Sequence, residues 1–336
     1  MQATPTSTHQ ARPITPEAFD EAAGDHKQSL RDILITSSQL MELPIVPRPK
    51  ILGEWMREGD LGYLYAPRGH GKTWLAMLLG NSIAEGKSLG EWQKGELSRR
   101  VIYFDAEMNL PDVQQRAKLI GISSDQFIWL QNEMVFQHLR RGLNIAETSD
   151  QAAIAEMLEE GDVFIIDNLS TAASGMSEND NDAFDRIKDW LLELRGRKIT
   201  VLIVHHAGRN GEMRGASRRE DMAHWIISLK DDSGDGEQKA WLTHFKKCRN
   251  CQSLEAPSLR WIIQTNDSGL TFQCEKHSGP EAMLALIRDG IEAATDLAEE
   301  RSVNKGDLSK WSSSMIRKMT ESGDNAGPSN SSTNNG

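Results

Sequence analysis

Residues 64–80, "LYAPRGHGKTWLAMLLG", run from an apolar stretch through a cramped, glycine-bearing turn into a segment of helical character. Read as A-x-x-x-x-G-K-T, Ala66 to Thr73 matches a phosphate-binding loop, with Ala66 standing where many versions have glycine. The spacing has a chemical reason. Gly69 and Gly71 let backbone N–H groups point inward with no Cβ in the way, and the helix that opens at the lysine–threonine pair turns its positive end toward a polyphosphate. Lys72 is placed to reach the β- and γ-phosphates and the Thr73 hydroxyl to ligate Mg²⁺. The expected cofactors are therefore ATP and Mg²⁺, held by Ala66, Pro67, Arg68, Gly69, His70, Gly71, Lys72, Thr73 and Trp74.

Outward from the loop, short β-branched or aromatic runs recur at 62–66, 101–107, 163–168, 200–206, 225–230 and 240–247, with helical-period segments at 73–85, 111–120, 150–160 and 182–195. Strands alternating with helices and then strands alone predict an α/β fold: a mainly parallel sheet, helices on both faces, closed by antiparallel strands. "VFIID" ends in Asp167, from which a carboxylate reaches the Mg²⁺ shell beside the loop. "VIYFDAEM" carries Asp105 and Glu107, two acids that strand periodicity puts on one pleat face; one of them could polarise an attacking water, and a pair of solvated strand-end acids is the plainer alternative.

Composition narrows the class. The 336-residue chain has 38% hydrophobic content, no apolar run of membrane-spanning length, and a polar start without the order of a signal peptide, so a cytoplasmic protein with no membrane partner is expected. Three cysteines at irregular spacing argue against a disulfide framework and agree with a reducing compartment. A formal net charge of -11 disfavours nucleic-acid binding by bulk attraction, although a local basic strip can override it. Such a strip exists: Arg209, Arg214, Arg218 and Arg219 stand against one acid, Glu212, in a glycine-rich segment. The segment 170–182, by contrast, is acidic and has no aromatic stacking platform.

The ordered set "APRGHGKT", "VIYFDAEM", "VFIIDNLS", "VLIVHHAGR", "MRGASRREDMAHWIISL" and "FKKCRN" resembles the RecA-like ATPases and, within them, the RepA-type hexameric replicative helicases of plasmids, phages and integrated elements. The resemblance spans roughly residues 45–275 and implies a RecA-like core. By position, Glu107 corresponds to the glutamate that activates water, Asp167 to the Mg²⁺-side aspartate, and His206, with His205 beside it, to the polar sensor of the γ-phosphate. Lys247 and Arg249 resemble the K-x-R pair offered to a neighbouring subunit's nucleotide, an arginine finger whose cation stabilises charge on the γ-phosphate. Catalysis is thus expected from Lys72, Glu107, His206 and Arg249. The resemblance implies a homo-oligomer, a hexameric ring, in which copies of the Arg209–Arg219 segment line a channel for single-stranded DNA, with a primase or replication initiator as a further partner. The alternative function is a DNA-binding regulator that uses ATP as an assembly switch and unwinds nothing.

The expected domains are a disordered arm at 1–30, the ATPase domain at 31–279, a helical module at 280–319 and a disordered tail at 320–336. In the module, Ala298, Val303, Leu308 and Trp311 sit at helix-turn-helix offsets, with Lys305, Lys310, Arg317 and Lys318 toward DNA and Ser302 replacing the usual turn glycine; a plain helical bundle fits as well. Cys248, Cys251, Cys274 and His277 have zinc-ribbon spacing, but Cys248 falls inside the finger motif, and idle thiols are the default reading.

Overall fold

The computed structural model describes residues 32–174, 181–208, 220–233, 239–252, 255–266 and 269–277. The helix-turn-helix expectation at 280–319 and the four arginines from Arg209 to Arg219 lie outside these residues. The chain divides into two compact units at Pro47 and Arg48. In the first, helix α1 (Ser37–Glu42) starts at a capping box, the Thr36 hydroxyl accepting from the Gln39 N–H and the Gln39 side chain accepting from the Thr36 N–H.

The second unit opens with a short antiparallel pair, β1 (Lys50–Leu52) and β2 (Met56–Arg57). Its body is a nine-stranded sheet built from β3 (Leu61–Ala66), β4 (Val101–Asp105), β5 (Phe127–Gln131), β6 (Val163–Asp167), β7 (Thr200–His206), β8 (Trp225–Asp231), β9 (Lys239–Cys248), β10 (Leu259–Asn266) and β11 (Gly269–Lys276). The spatial order is β11-β10-β9-β8-β3-β7-β6-β4-β5. From β8 to β5 every pairing is parallel, and from β8 to β11 every pairing is antiparallel. This is a RecA-like α/β core, with the strand that feeds the glycine loop near the middle of the sheet.

Both faces of the parallel part are covered, which is why its strands read as continuous apolar runs. One face carries Leu64, Tyr103, Val163, Ile165, Leu202 and Val204 against α2 (Lys72–Glu85) and Val113 of α3 (Leu110–Ile120). The opposite face carries Tyr63, Ile102, Phe104, Phe164, Ile166 and Ile203 against α5 (Thr148–Met157) and α7 (Asn181–Gly196), through Ile154, Ile187, Trp190, Leu191 and Leu194. Two short helices, α4 (Asn132–Leu139) and α6 (Leu169–Ala172), complete the set; α6 takes up the start of the acidic segment 170–182.

Beneath β8 to β10 the first core continues as an aromatic cluster. Trp55 meets Trp92, Trp225 and Phe245 edge-on at centroid distances of 5.2, 4.7 and 5.3 Å. Gly62 is what lets Trp225 lie flat on β3, since a Cβ there would sit 2.2 Å from the indole Cδ2.

Candidate nucleotide site

The site is a row of residues at the carboxyl ends of four adjacent parallel strands, where ligands of open α/β sheets bind. Side chains alternate along a strand, so Ala66 of β3, His206 of β7, Asp167 of β6 and Asp105 of β4 all share the face covered by α2. Register brings them level in two pairs, Ala66 with His206 and Asp105 with Asp167, the second pair set about two residues back from the first.

Between β3 and α2 the chain makes the expected turn. Gly69 and Gly71 have φ of 81° and 88°, left-handed values that favour glycine. At Gly71 packing adds a second constraint, because a Cβ would lie 2.3 Å from Cζ2 of Trp241. Gly69 meets nothing within 4 Å and faces open space. The first N–H groups of α2 have no carbonyl of their own helix to bond, so they are available to an anion. Trp74, in the first turn of α2, packs partly buried against the first core, and the Arg116 guanidinium of α3 lies over its ring at 5.2 Å.

Lys72 is 6% exposed, and its ammonium donates to the carbonyls of Ala66 at 3.0 Å and Pro67 at 2.9 Å. Burial brings its pKa down to about 8, against the opposing pull of the Asp167 and Glu107 carboxylates. Asp167 is buried, which raises its pKa, while hydrogen bonds from the Tyr103 hydroxyl, at 2.7 Å, and from the Thr73 hydroxyl favour its charged form. Thr73 and Asp167, the expected metal-side pair, are therefore neighbours.

Asp105 and Glu107 do not share a pleat face, contrary to the expectation from periodicity. The strand ends at Asp105, whose Oδ1 accepts from the N–H groups of Glu107 at 3.0 Å and Met108 at 2.8 Å, a side-chain turn that swings Glu107 outward. Asp105 is left 1% exposed, with Oδ2 buried and unbonded among the described residues. Burial raises its pKa to about 6, more than the turn N–H groups lower it, and the Asp167 charge adds to the rise. Glu107 is exposed and accepts a hydrogen bond from the Asn168 side chain. The residue following Asp167 thus reaches the acid that leaves β4; the peptide joining Asp167 and Asn168 is cis.

Sequence reading missed both Tyr103 and Asn168. Tyr103 had a signal, since it lies two residues before Asp105 and so on the same face; Asn168 had only its place after Asp167.

Taken together these residues fit a nucleotide and its cation. A left-handed glycine turn opens a helix, a lysine sits under the loop, a hydroxyl and two carboxylates converge, and one carboxylate oxygen is buried without a partner among the described residues.

Lys247 and Arg249 are not part of this row. Strand β9 runs antiparallel to β8, so its end returns to the amino-terminal end of the parallel strands: Cys248 is level with Trp225, which is level with Gly62. Arg249 therefore sits about five residues below Ala66 along the strand direction, roughly 16 Å at a strand rise of about 3.3 Å per residue. There Arg249 donates to the Asp221 carbonyl at 2.9 Å and Lys247 to that of Glu220. Cys248, Cys251, Cys274 and His277 do not converge as a zinc ribbon; among the described residues no group of three or more His, Cys, Asp or Glu side chains is arranged to hold a metal. No helix among the described residues is long and apolar enough to cross a membrane.

The AAA domain family matches residues 27–212. Among solved structures, the chain is similar to a KaiC-like protein of the hyperthermophilic archaeon Pyrococcus horikoshii, with 14% identity, a TM-score of 0.43, and 65% of this chain and 90% of that one covered. It is also similar to the flagellar accessory protein FlaH of Methanocaldococcus jannaschii, with 12% identity, a TM-score of 0.46, and coverage of 64% and 90%. No curated protein matches the chain.

Proposed function

For a chain that belongs to the AAA domain family, and so carries a P-loop ATPase core, we propose a ring-forming motor that hydrolyses ATP at subunit boundaries and acts on single-stranded DNA, as a helicase or helicase-like protein in replication of a mobile element. The observation that carries this reading is the separation within one copy: the phosphate loop lies at one end of the sheet and the Lys247–Arg249 pair at the other. A cation at that distance serves no phosphate of its own chain, and a ring brings the far edge of one copy against the near edge of the next.

In the proposed reaction Lys72 and the α2 N-terminus hold the phosphates, and Thr73 and Asp167 hold Mg²⁺, which when bound neutralises phosphate charge. Glu107, oriented by Asn168, takes a proton from the attacking water. His206, level with Ala66, senses the γ-phosphate. Arg249 and Lys247 of the neighbouring copy balance charge developing on the transferred group. Arg209, Arg214, Arg218 and Arg219 follow directly from the His206 strand, so the γ-phosphate sensor is continuous in sequence with the proposed DNA contacts. A hexamer, and a primase or replication initiator as client, extend the same reading.

The acidic, aromatic-free 170–182 segment favours a second reading, an ATP-switched DNA-binding regulator without unwinding. Native mass with and without a non-hydrolysable ATP analogue and single-stranded DNA, beside strand separation of a forked duplex, separates the two. The motor forms a nucleotide-dependent ring, is stimulated by single strands and opens the fork. A protein that prefers duplex and leaves the fork intact is the regulator.

A further inference from the structure

Two of the three cysteines remain unused by the function above, and they are placed together. Cys248 closes β9 and Cys251 follows in the next turn, with their sulfurs 3.0 Å apart in a thiol–thiol hydrogen bond. Both are only partly buried, at the boundary of the aromatic core. We propose that Cys248 and Cys251 form a reversible dithiol–disulfide pair, a redox modification site for low-molecular-weight disulfides, built into the turn that carries Arg249.

The turn is held so that the sulfurs meet. Asn250, between the cysteines, donates to the Trp55 carbonyl at 2.7 Å and to Asp60 Oδ2 at 2.5 Å, and Asp60 is fully buried. The Arg249 N–H donates to the His224 carbonyl at 2.8 Å. With backbone and side chain both tethered, the two sulfurs need to close by about 1 Å to reach a bond length near 2.05 Å, without the loop being rebuilt. Chemistry distinguishes the partners. The Cys248 sulfur accepts from Cys251 and from the backbone N–H groups of Asn250 and Cys251, which brings its pKa down to about 7, whereas Cys251, hydrogen-bonded to that sulfur and partly buried, is raised. Cys274 stands apart, beside Gly90 and Trp261, and burial raises it to about 11.

The step balances as thiol–disulfide exchange. The Cys248 thiolate attacks one sulfur of the small disulfide; that S–S bond breaks and the departing half leaves with the electron pair as a thiolate. Cys251 then gives up its proton to that base and its sulfur attacks Cys248 Sγ, expelling the second half. Two protein thiols are oxidised and one small disulfide is reduced to two thiols.

The test uses the full-length folded chain, equilibrated in mixtures of glutathione and glutathione disulfide, acid-quenched, alkylated and mapped by mass spectrometry. The expected product joins the two tryptic peptides separated after Arg249, and Cys274 stays open to alkylation. The folded chain should bridge at a disulfide-to-thiol ratio about tenfold or more below that required by the same chain in urea, since the fold presents the sulfurs together. Cys251→Ser should stop at a mixed disulfide on Cys248. Should the folded chain keep all three thiols alkylatable under conditions that bridge the unfolded one, or link to Cys274 instead, the proposal is overturned. The wild-type comparison stands by itself if the serine variant folds poorly.

Discussion

Asp105 and Glu107 are separated by one residue, and the structure gives them opposite circumstances. Glu107, exposed and held by Asn168, is free to deal with water. Changing it to glutamine should leave nucleotide binding within about twofold of wild type and reduce hydrolysis by about a hundredfold or more, because the amide cannot accept a proton. A Glu107→Gln variant that turns over normally removes the assignment. Asp105 is a buried acid whose proton the folded chain holds more tightly than the unfolded chain does. Its contribution to stability is therefore fully present below about pH 4 and is lost as the pH rises through about 6. Asp105→Asn, uncharged throughout, should gain on wild type by about 2–3 kcal/mol between pH 4 and pH 7, measured by urea unfolding without nucleotide. Parallel pH profiles for the two proteins would show that Asp105 titrates normally. Neither circumstance is legible from "VIYFDAEM": alternation puts both acids on one face, and only the Asp105 turn breaks the alternation.

At the scale of elements, the long parallel strands and their helices were legible because periodicity and burial agree in them. The run at 200–206 is the strand Thr200–His206, and the segment 73–85 is the helix Lys72–Glu85 to within one residue. Strand β5 was missed. Its apolar run, Phe127 to Leu130, is only four residues long, and the strand lies at the sheet edge with Ile128 exposed. Packing between elements also sets demands that no local pattern displays. Gly62 looks dispensable in an apolar strand, yet its missing Cβ is occupied by Trp225. Gly62→Ala should destabilise the folded chain by about 2–3 kcal/mol in denaturant unfolding, through overpacking of an already filled interface. Adding Trp225→Leu should recover part of that loss. If Gly62→Ala is neutral, the β3–β8 contact is looser than its geometry implies.

For the whole molecule, the consequential feature is that β9 returns along the sheet. Lys72 and Arg249 lie at opposite ends of the strands in one copy, and the proposed catalytic machinery is complete only across a boundary between copies. Lys72→Ala and Arg249→Ala should each be inactive alone, while a mixture of the two should regain part of the wild-type hydrolysis. In mixed assemblies some boundaries pair an intact loop with an intact finger. A mixture that stays as inactive as its components would mean that each chain works with its own residues only.

The chemistry of the loop was settled by adjacency in the chain: a glycine turn, a lysine and a hydroxyl within eight residues need no distant partner to specify phosphate binding. The carboxyl-end positions of Asp167 and His206 followed from strand periodicity in the same way. Tertiary structure alone decided that Tyr103 reaches Asp167 and Asn168 reaches Glu107, that Asp105 is buried, that Cys248 and Cys251 face one another over a tethered turn, and that Arg249 lies far from the phosphate loop of its own chain. Those outcomes depend on strand register and on which surfaces exclude water. Both are set by residues scores of positions apart, so no local window of sequence contains them.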